Sequence, residues 1–183
     1  MRKVIAAINM TLDGFCDHTV IIPDDEIHQH YTDLLKNADT ILYGRITYQL
    51  MEYWPNVLKN PTGNKAVDEF AVVMEDIQKI VFSRTLKNLE WESAKLAART
   101  LEEEVYELRQ QPGKDILIGC RSLIIQSMKL NLVDEHQFCV HPVVAGSGLP
   151  LFENINDPTL FNLVKTKIFS GGAVLLYYAP AVK

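Results

Sequence analysis

Apolar positions along this chain switch between two periods. Residues 3–8 form a compact apolar run rich in β-branched side chains, the mark of a strand buried on both faces. Behind it, Pro23-Asp24-Asp25-Glu26 reads as a helix start, with acids at the positive end of the helix dipole. Ile27, Tyr31, Leu34, Leu35 and Ala38 follow at helical spacing and predict one buried face. A short strand is predicted over 40–43, ending at Gly44, then a helix from Arg45 to about Tyr53. Pro55 and Pro61-Thr62-Gly63 break the pattern as a loop. Val67, Phe70, Ala71 and Met74 restore a helical stripe, and 79–82 and 89–92 are the next predicted strands.

Thr100, with Glu103 three residues on, has the spacing of a capping box. The stripe Leu101, Val105, Leu108 follows and stops at Pro112-Gly113. Residues 115–118 predict a buried strand ending at Gly119. Ser122 is the expected cap of a helix carrying Leu123, Ile124, Met128 and Leu130. Further strands are expected over 135–140, 161–169 and 173–179, the last two joined around Gly171-Gly172 as a hairpin. Alternation of β and α units predicts an α/β fold, mainly parallel, with helices on both faces and an antiparallel C-terminal edge. No repeat or linker interrupts the chain, so one domain is expected over 1–183.

Composition narrows the function classes. A net charge of -5 over 183 residues provides no general field for nucleic acid or an anionic membrane. Any bound anion must therefore be held by a local cluster of Arg and backbone N–H groups. Cys16, Cys120 and Cys139 are odd in number and widely spaced, which reads as reduced thiols in a cytoplasmic protein. The apolar stretch at the N-terminus is too short for a signal peptide or a membrane span. The histidines predict no metal site: His28 and His30 are two apart on a helix, His18 and His136 are isolated, and His141, beside Pro142 near a strand end, is placed to approach a ligand but reads first as structural.

In an open parallel sheet, ligands bind beyond the carboxyl ends of the strands. Three such ends carry an Arg: Gly44-Arg45-Ile46-Thr47, Ser83-Arg84-Thr85 and Gly119-Cys120-Arg121-Ser122. Two of them lead into a helix start, which suits a phosphate, and Thr47, Ser83 and Ser122 add hydrogen-bond donors. This is the local positive cluster that an acidic chain needs to hold a nucleotide. Each segment alone is more often an ordinary turn with a surface Arg; three on the same predicted edge favour a site. A GxGxxG fingerprint, a P-loop and a hydrolase elbow are all missing from the sequence.

Longer motifs carry a resemblance. Gly44-Arg45-Ile46-Thr47-Tyr48 is similar to the GRxT-aromatic motif of dihydrofolate reductases and of the reductase domain of bacterial riboflavin biosynthesis. Thr11-Leu12-Asp13-Gly14-Phe15 resembles the S-x-D-G-F segment after their first strand. Residues 130–152 resemble a block of the riboflavin-type branch, through Leu132-Val133-Asp134-Glu135, His141-Pro142-Val143-Val144 and Gly146-Ser147-Gly148-Leu149-Pro150-Leu151-Phe152. The likeness runs from about residue 3 to 179. It implies a dihydrofolate reductase-like three-layer fold, a sheet of about eight strands and NADPH lying across the strand ends. Arg45 and Thr47 would then contact the pyrophosphate or 2′-phosphate, Ser83 and Arg84 the adenosine 2′-phosphate, and Gly119, Cys120, Arg121, Ser122 and Leu123 the pyrophosphate. Ala7 and Gly44 complete the implied cofactor set.

For the substrate, the resemblance implies a pterin-like or 5-amino-6-(5-phosphoribosylamino)uracil-like heterocycle, bordered by Asn9, Asp25, Tyr48 and Trp54. Asp13 is the expected group for orienting or protonating it, although Asp-Gly is also a favoured turn. Asp25 and Glu26 are more often solvated helix-start charges, and aromatics such as Tyr48 and Trp54 are more often core. Family members are often homodimers, and residues 174–178 suit either a dimer surface or a core strand. One departure stands out. Gly119-Cys120-Arg121-Ser122 replaces the usual Gly-Gly or Gly-Ser-Gly-Ser, and Arg121 is expected to pair with the phosphates. The chain also lacks the zinc-deaminase signature, so its reductase chemistry would serve another heterocycle as readily as the riboflavin precursor. The alternative is a nucleotide- or flavin-binding protein that keeps the fold without turnover.

Overall fold

The computed structural model describes residues 1–155 and 158–181. Among the described residues eight strands and six helices follow one another: β1 (Val4–Thr11), α1 (Asp25–Lys36), β2 (Ala38–Gly44), α2 (Arg45–Met51), α3 (Trp54–Lys59), α4 (Lys65–Asp76), β3 (Gln78–Phe82), β4 (Ala94–Leu96), α5 (Leu101–Gln110), β5 (Asp115–Ile118), α6 (Arg121–Lys129), β6 (Glu135–His141), β7 (Phe161–Ile168) and β8 (Val174–Pro180). The strands form one sheet in the order β4-β3-β2-β5-β1-β6-β8-β7. The first six in that order are parallel, while β8 runs antiparallel to both β6 and β7.

That order sets the layers. From β1 to β2 and from β2 to β3 the chain moves one way along the sheet. From β4 to β5 and from β5 to β6 it moves the other way. Right-handed crossovers therefore place α1, α3 and α4 on one face and α5 and α6 on the other. The helix pairs agree, with α4 packed on α1 and α3, and α5 on α6. The main core lies around β1, β2, β3 and β5, with Val4, Leu42, Ile80, Ile116 and Ile118 inaccessible to solvent. A smaller cluster of Ile27, Cys139, Phe169, Leu175 and Tyr177 joins α1 to β6 and β8. Among the described residues no helix is long and apolar enough to cross a membrane.

Most predicted elements form, and the departures have local causes. The strand expected over 89–92 is replaced by β4 at Ala94–Leu96. Trp91 instead plugs the core, 4% exposed, with its ring under the Lys79 ammonium and its backbone N–H donating to the Tyr48 hydroxyl. Pro55 opens a helix rather than a loop, because α3 places it in the first turn, where a missing N–H costs nothing. Cys120, not Ser122, is the N-cap of α6. Ala38 begins β2 instead of closing α1. Residues 174–178 lie within β8, an inner strand, so the free sheet edge on that side is β7. β7 is exposed along nearly its whole length and presents Leu163, Val164 and Ile168 to solvent.

His136 on β6 is 1% exposed, sits against the rings of Phe138 and Phe161, and has no hydrogen-bond partner for Nδ1 among the described residues. Burial pushes its imidazole from 6.5 down to about 4. Between those values the unfolded chain takes a proton that the folded chain refuses, so stability falls as pH falls through that window. His136→Leu is expected to lose up to about 3 kcal/mol less than the parent chain on acidification, measured as urea unfolding free energies across that pH range.

Candidate active site

The carboxyl ends of β3, β2, β5 and β1 lie side by side. The strands differ in length there. Pairing of β1 with β5 ends at Ala6–Ile118, whereas pairing of β1 with β6 continues to Thr11–His141. From Ala7 onward, β1 therefore overhangs β5 and leaves a slot above the end of β5. This is also where chain direction along the sheet reverses, the position at which open α/β sheets bind ligands.

One side of the slot is made by two touching turns. The Gly44 N–H donates to Cys120 Sγ at 3.2 Å. A side chain at Gly44 would come within 3.2 Å of Ser122 Oγ, and one at Gly119 within 3.0 Å of the Tyr43 ring. At both glycines a side chain would have to push a neighbour aside by a few tenths of an ångström. Burial pushes the Cys120 thiol up, against the N–H groups of Leu123 and Gly44 and the Ser122 and Thr47 hydroxyls, which favour its thiolate. Cys120 is thus a neutral packing group that joins the two turns, with Thr47 turned toward it. Leu123 is core. Neither Gly44 nor Cys120 provides a side-chain cap, whereas Asp24, Asn64 and Thr100 cap α1, α4 and α5.

The three arginines divide. Arg45 is exposed and reaches only Gln49, at 3.2 Å, and Arg84 is exposed beside Ser83. Neither forms an ion pair among the described residues. The Ser83 hydroxyl accepts from the N–H groups of Thr85 and Leu86, which fixes the turn after β3. Arg121 departs from expectation. It pairs with Glu153 at 2.6 Å and donates from Nε to the Pro150 carbonyl. It is occupied in pinning the loop after β6 and is not presented to a phosphate.

That loop forms a ladder with the segment after β1. The Leu12 N–H donates to Val143 O, Cys16 N–H to Leu149 O and Leu151 N–H to Gly14 O, at 2.7–2.9 Å. Asp13 latches the ladder, accepting from the Gly146 N–H at 2.7 Å, the Ala145 N–H at 3.1 Å and the Thr11 hydroxyl at 2.6 Å. The Thr11 bond first, then these N–H groups, hold its carboxyl down at about 2. Asp13 is therefore ionised at working pH and is no proton donor, and the turn reading accounts for it.

The implied substrate residues are not one cluster. Asn9 lies in the overhang, where its Oδ1 is 3.1 Å from the Tyr31 hydroxyl and 3.0 Å from His141 Nε2. Tyr48 is 1% exposed and its hydroxyl accepts from the N–H groups of Glu90 and Trp91, so it belongs to the core and not the cleft. Asp25 sits two residues before the buried Ile27, on the opposite side of α1, and accepts from Asn64 at 2.8 Å. Trp54 is half-buried and packs against Phe70 and His28. The sequence pattern put Tyr31 on the buried face of α1 and put His141 near a strand end, read first as structural and second as able to approach a ligand; the fold brings both to Asn9. Their one available signal was position, a helix face and a strand end beside β1.

The match to known families follows this geometry. A family model, the RibD C-terminal domain, covers residues 2–175. The chain belongs to the RibD C-terminal domain family. It is 36% identical over 185 residues to the uncharacterized protein YyaP of Bacillus subtilis (strain 168), covering 97% of this chain and 94% of that one. Acinetobacter baumannii RibD superposes with a TM-score of 0.74 at 15% identity, covering all of this chain and 59% of that one. A Thermotoga maritima diaminohydroxyphosphoribosylaminopyrimidine deaminase/5-amino-6-(5-phosphoribosylamino)uracil reductase superposes with a TM-score of 0.68 at 18% identity, over 98% of this chain and 57% of that one. The fold is accordingly the dihydrofolate reductase-like arrangement of RibD proteins.

If Asp13 is a latch, removing it frees the ladder. Asp13→Ala is expected to speed amide hydrogen exchange at Ala145 and Gly146 by roughly tenfold or more, with little change at the β1 core amides. Unchanged exchange at Ala145 and Gly146 would contradict the latch.

Proposed function

We propose that this protein is an NADPH-dependent reductase that passes hydride to a small heterocycle. The observation that carries this reading is the pair of uncapped helix starts at Gly44 and Cys120, beside two exposed arginines with no acidic partner among the described residues. Uncapped first turns offer N–H donors and the positive dipole end, and Arg45 and Arg84 add bidentate charge. In this reading Gly44, Thr47 and the 119–123 turn hold the pyrophosphate, while Ser83, Arg84 and Arg45 hold the 2′-phosphate. Ala7 lines the start of the slot. Bound NADPH supplies the hydride.

The residues of the chain do the rest. The 11–17 and 142–153 ladder walls the slot against water, and Asn9 faces the acceptor. The family points to an aminopyrimidine of the 5-amino-6-(5-phosphoribosylamino)uracil kind or a pterin-like relative as substrate. Binding without turnover is the second reading, favoured by the withdrawal of Arg121 into its pair with Glu153. We also assign the exposed apolar edge of β7 to a homodimer contact, which light scattering checks as a doubled mass in the parent chain and a monomer in Leu163→Lys.

Calorimetric titration tests the cofactor assignment. Micromolar NADPH binding with much weaker NADH binding is expected, and Arg45→Ala and Arg84→Ala should each weaken NADPH by roughly tenfold. A folded protein that binds neither nucleotide overturns the reading.

A further inference from the structure

The overhanging end of β1 carries a polar cluster drawn from three elements. Asn9 is on β1, Tyr31 on α1 and His141 on β6. Asn9 pairs with Cys139 and Thr11 with His141 in the parallel ladder, so Asn9 and His141 share the face of the sheet that α1 covers. Tyr31 reaches down from that helix. Both groups meet the same atom, Asn9 Oδ1, at 3.1 and 3.0 Å.

The chemistry of the two partners orients the amide. Burial pushes the Tyr31 phenol well up, so it is a neutral O–H that donates to the oxygen. His141 is 4% exposed, and burial pushes its imidazole down, so it is neutral too. A neutral ring facing a carbonyl oxygen through Nε2 must carry its proton there. Two donors then fill both lone pairs of Oδ1. The amide nitrogen is left as the outward group, and it has no hydrogen-bond partner among the described residues. Asn9 is half-buried at the slot, so this N–H₂ group faces whatever occupies it.

We propose that Asn9 is a specificity-determining residue that donates from its amide N–H₂ to an oxo group of the bound ring, and that Tyr31 and His141 are the positioning residues that hold it in that sense. The assignment rests on the reductase reading for the location of the ring. It adds a selection rule: an amino group at the same place would face donor against donor. A site built to hydrogen-bond one group rejects its mismatch strongly, because a buried polar group is left unpaired. Tyr31 and His141 act through Asn9 and touch no reacting atom.

The test has a part that needs no ligand. Nitrogen NMR of the histidine rings is expected to show His141 as the Nε2–H tautomer. The Nδ1–H tautomer would mean the amide is turned the other way and would overturn the proposal. The second part titrates the NADPH-loaded protein with 6-aminouracil and with 2,4,6-triaminopyrimidine, the same ring with amino groups in place of oxo groups. The uracil is expected to bind at least about tenfold more tightly and to shift the Asn9 side-chain amide signals. Asn9→Asp, which replaces donors by acceptors, should reverse the order, and Tyr31→Phe should shrink the preference while leaving NADPH affinity unchanged. Equal or reversed preference in the parent chain, or no binding of either pyrimidine to the loaded protein, overturns the proposal. Failure of NADPH itself to bind is a separate result: it removes the reductase reading and leaves the tautomer measurement standing.

Discussion

The site depends on a mismatch in strand length. β5 stops at Ile118 while its neighbour β1 continues to Thr11, supported on one side only by β6. A strand with one free side inside a sheet leaves backbone groups without a ladder partner, to be met by turns, water or a ligand. Everything at the carboxyl edge is arranged around this step. The turns after β2 and β5 close one side of it, the ladder of the 11–17 and 142–153 segments closes another, and Asn9, Tyr31 and His141 meet on its α1 face.

Charge at this edge is distributed between two tasks. Asp13 and Arg121 both read as chemistry in the sequence, and both are occupied in holding loops: Asp13 latches Ala145 and Gly146, and Arg121 grips Pro150 and Glu153. A loop that crosses strand ends has no sheet of its own to satisfy its backbone, so side chains must do it. That use removes these groups from the pool available to a ligand. Among the described residues Arg45 and Arg84 stay outside such pairs, so the exposed positive charge at this edge falls on them.

Much of the fold was legible because its determinants are local. The capping pair Thr100 and Glu103 forms as read, since both partners lie within one turn. The hairpin around Gly171-Gly172 forms because Gly172 adopts a positive φ of 86° in the turn. The misses share a different cause. Leu89-Glu90-Trp91-Glu92 has strand-like composition, yet Trp91 is buried as a plug under the Lys79 ammonium and the strand forms two residues later. Pro55 is a breaker in mid-helix and a starter in a first turn, and a single sequence does not say which it occupies.

What the chain determined by itself is the type and order of its elements and the presence of basic turns at successive strand ends. Periodicity, capping and turn chemistry act over a few residues, so they survive without a partner. Which of those basic groups remain available, and that Tyr48 is core while Tyr31 reaches the site, was decided only by the tertiary structure. His141 and Asn9 are 132 positions apart and become neighbours because β6 pairs with the overhang of β1. Strand order, a product of crossover handedness and of burial summed over the whole sheet, makes that meeting, and no local signal encodes it.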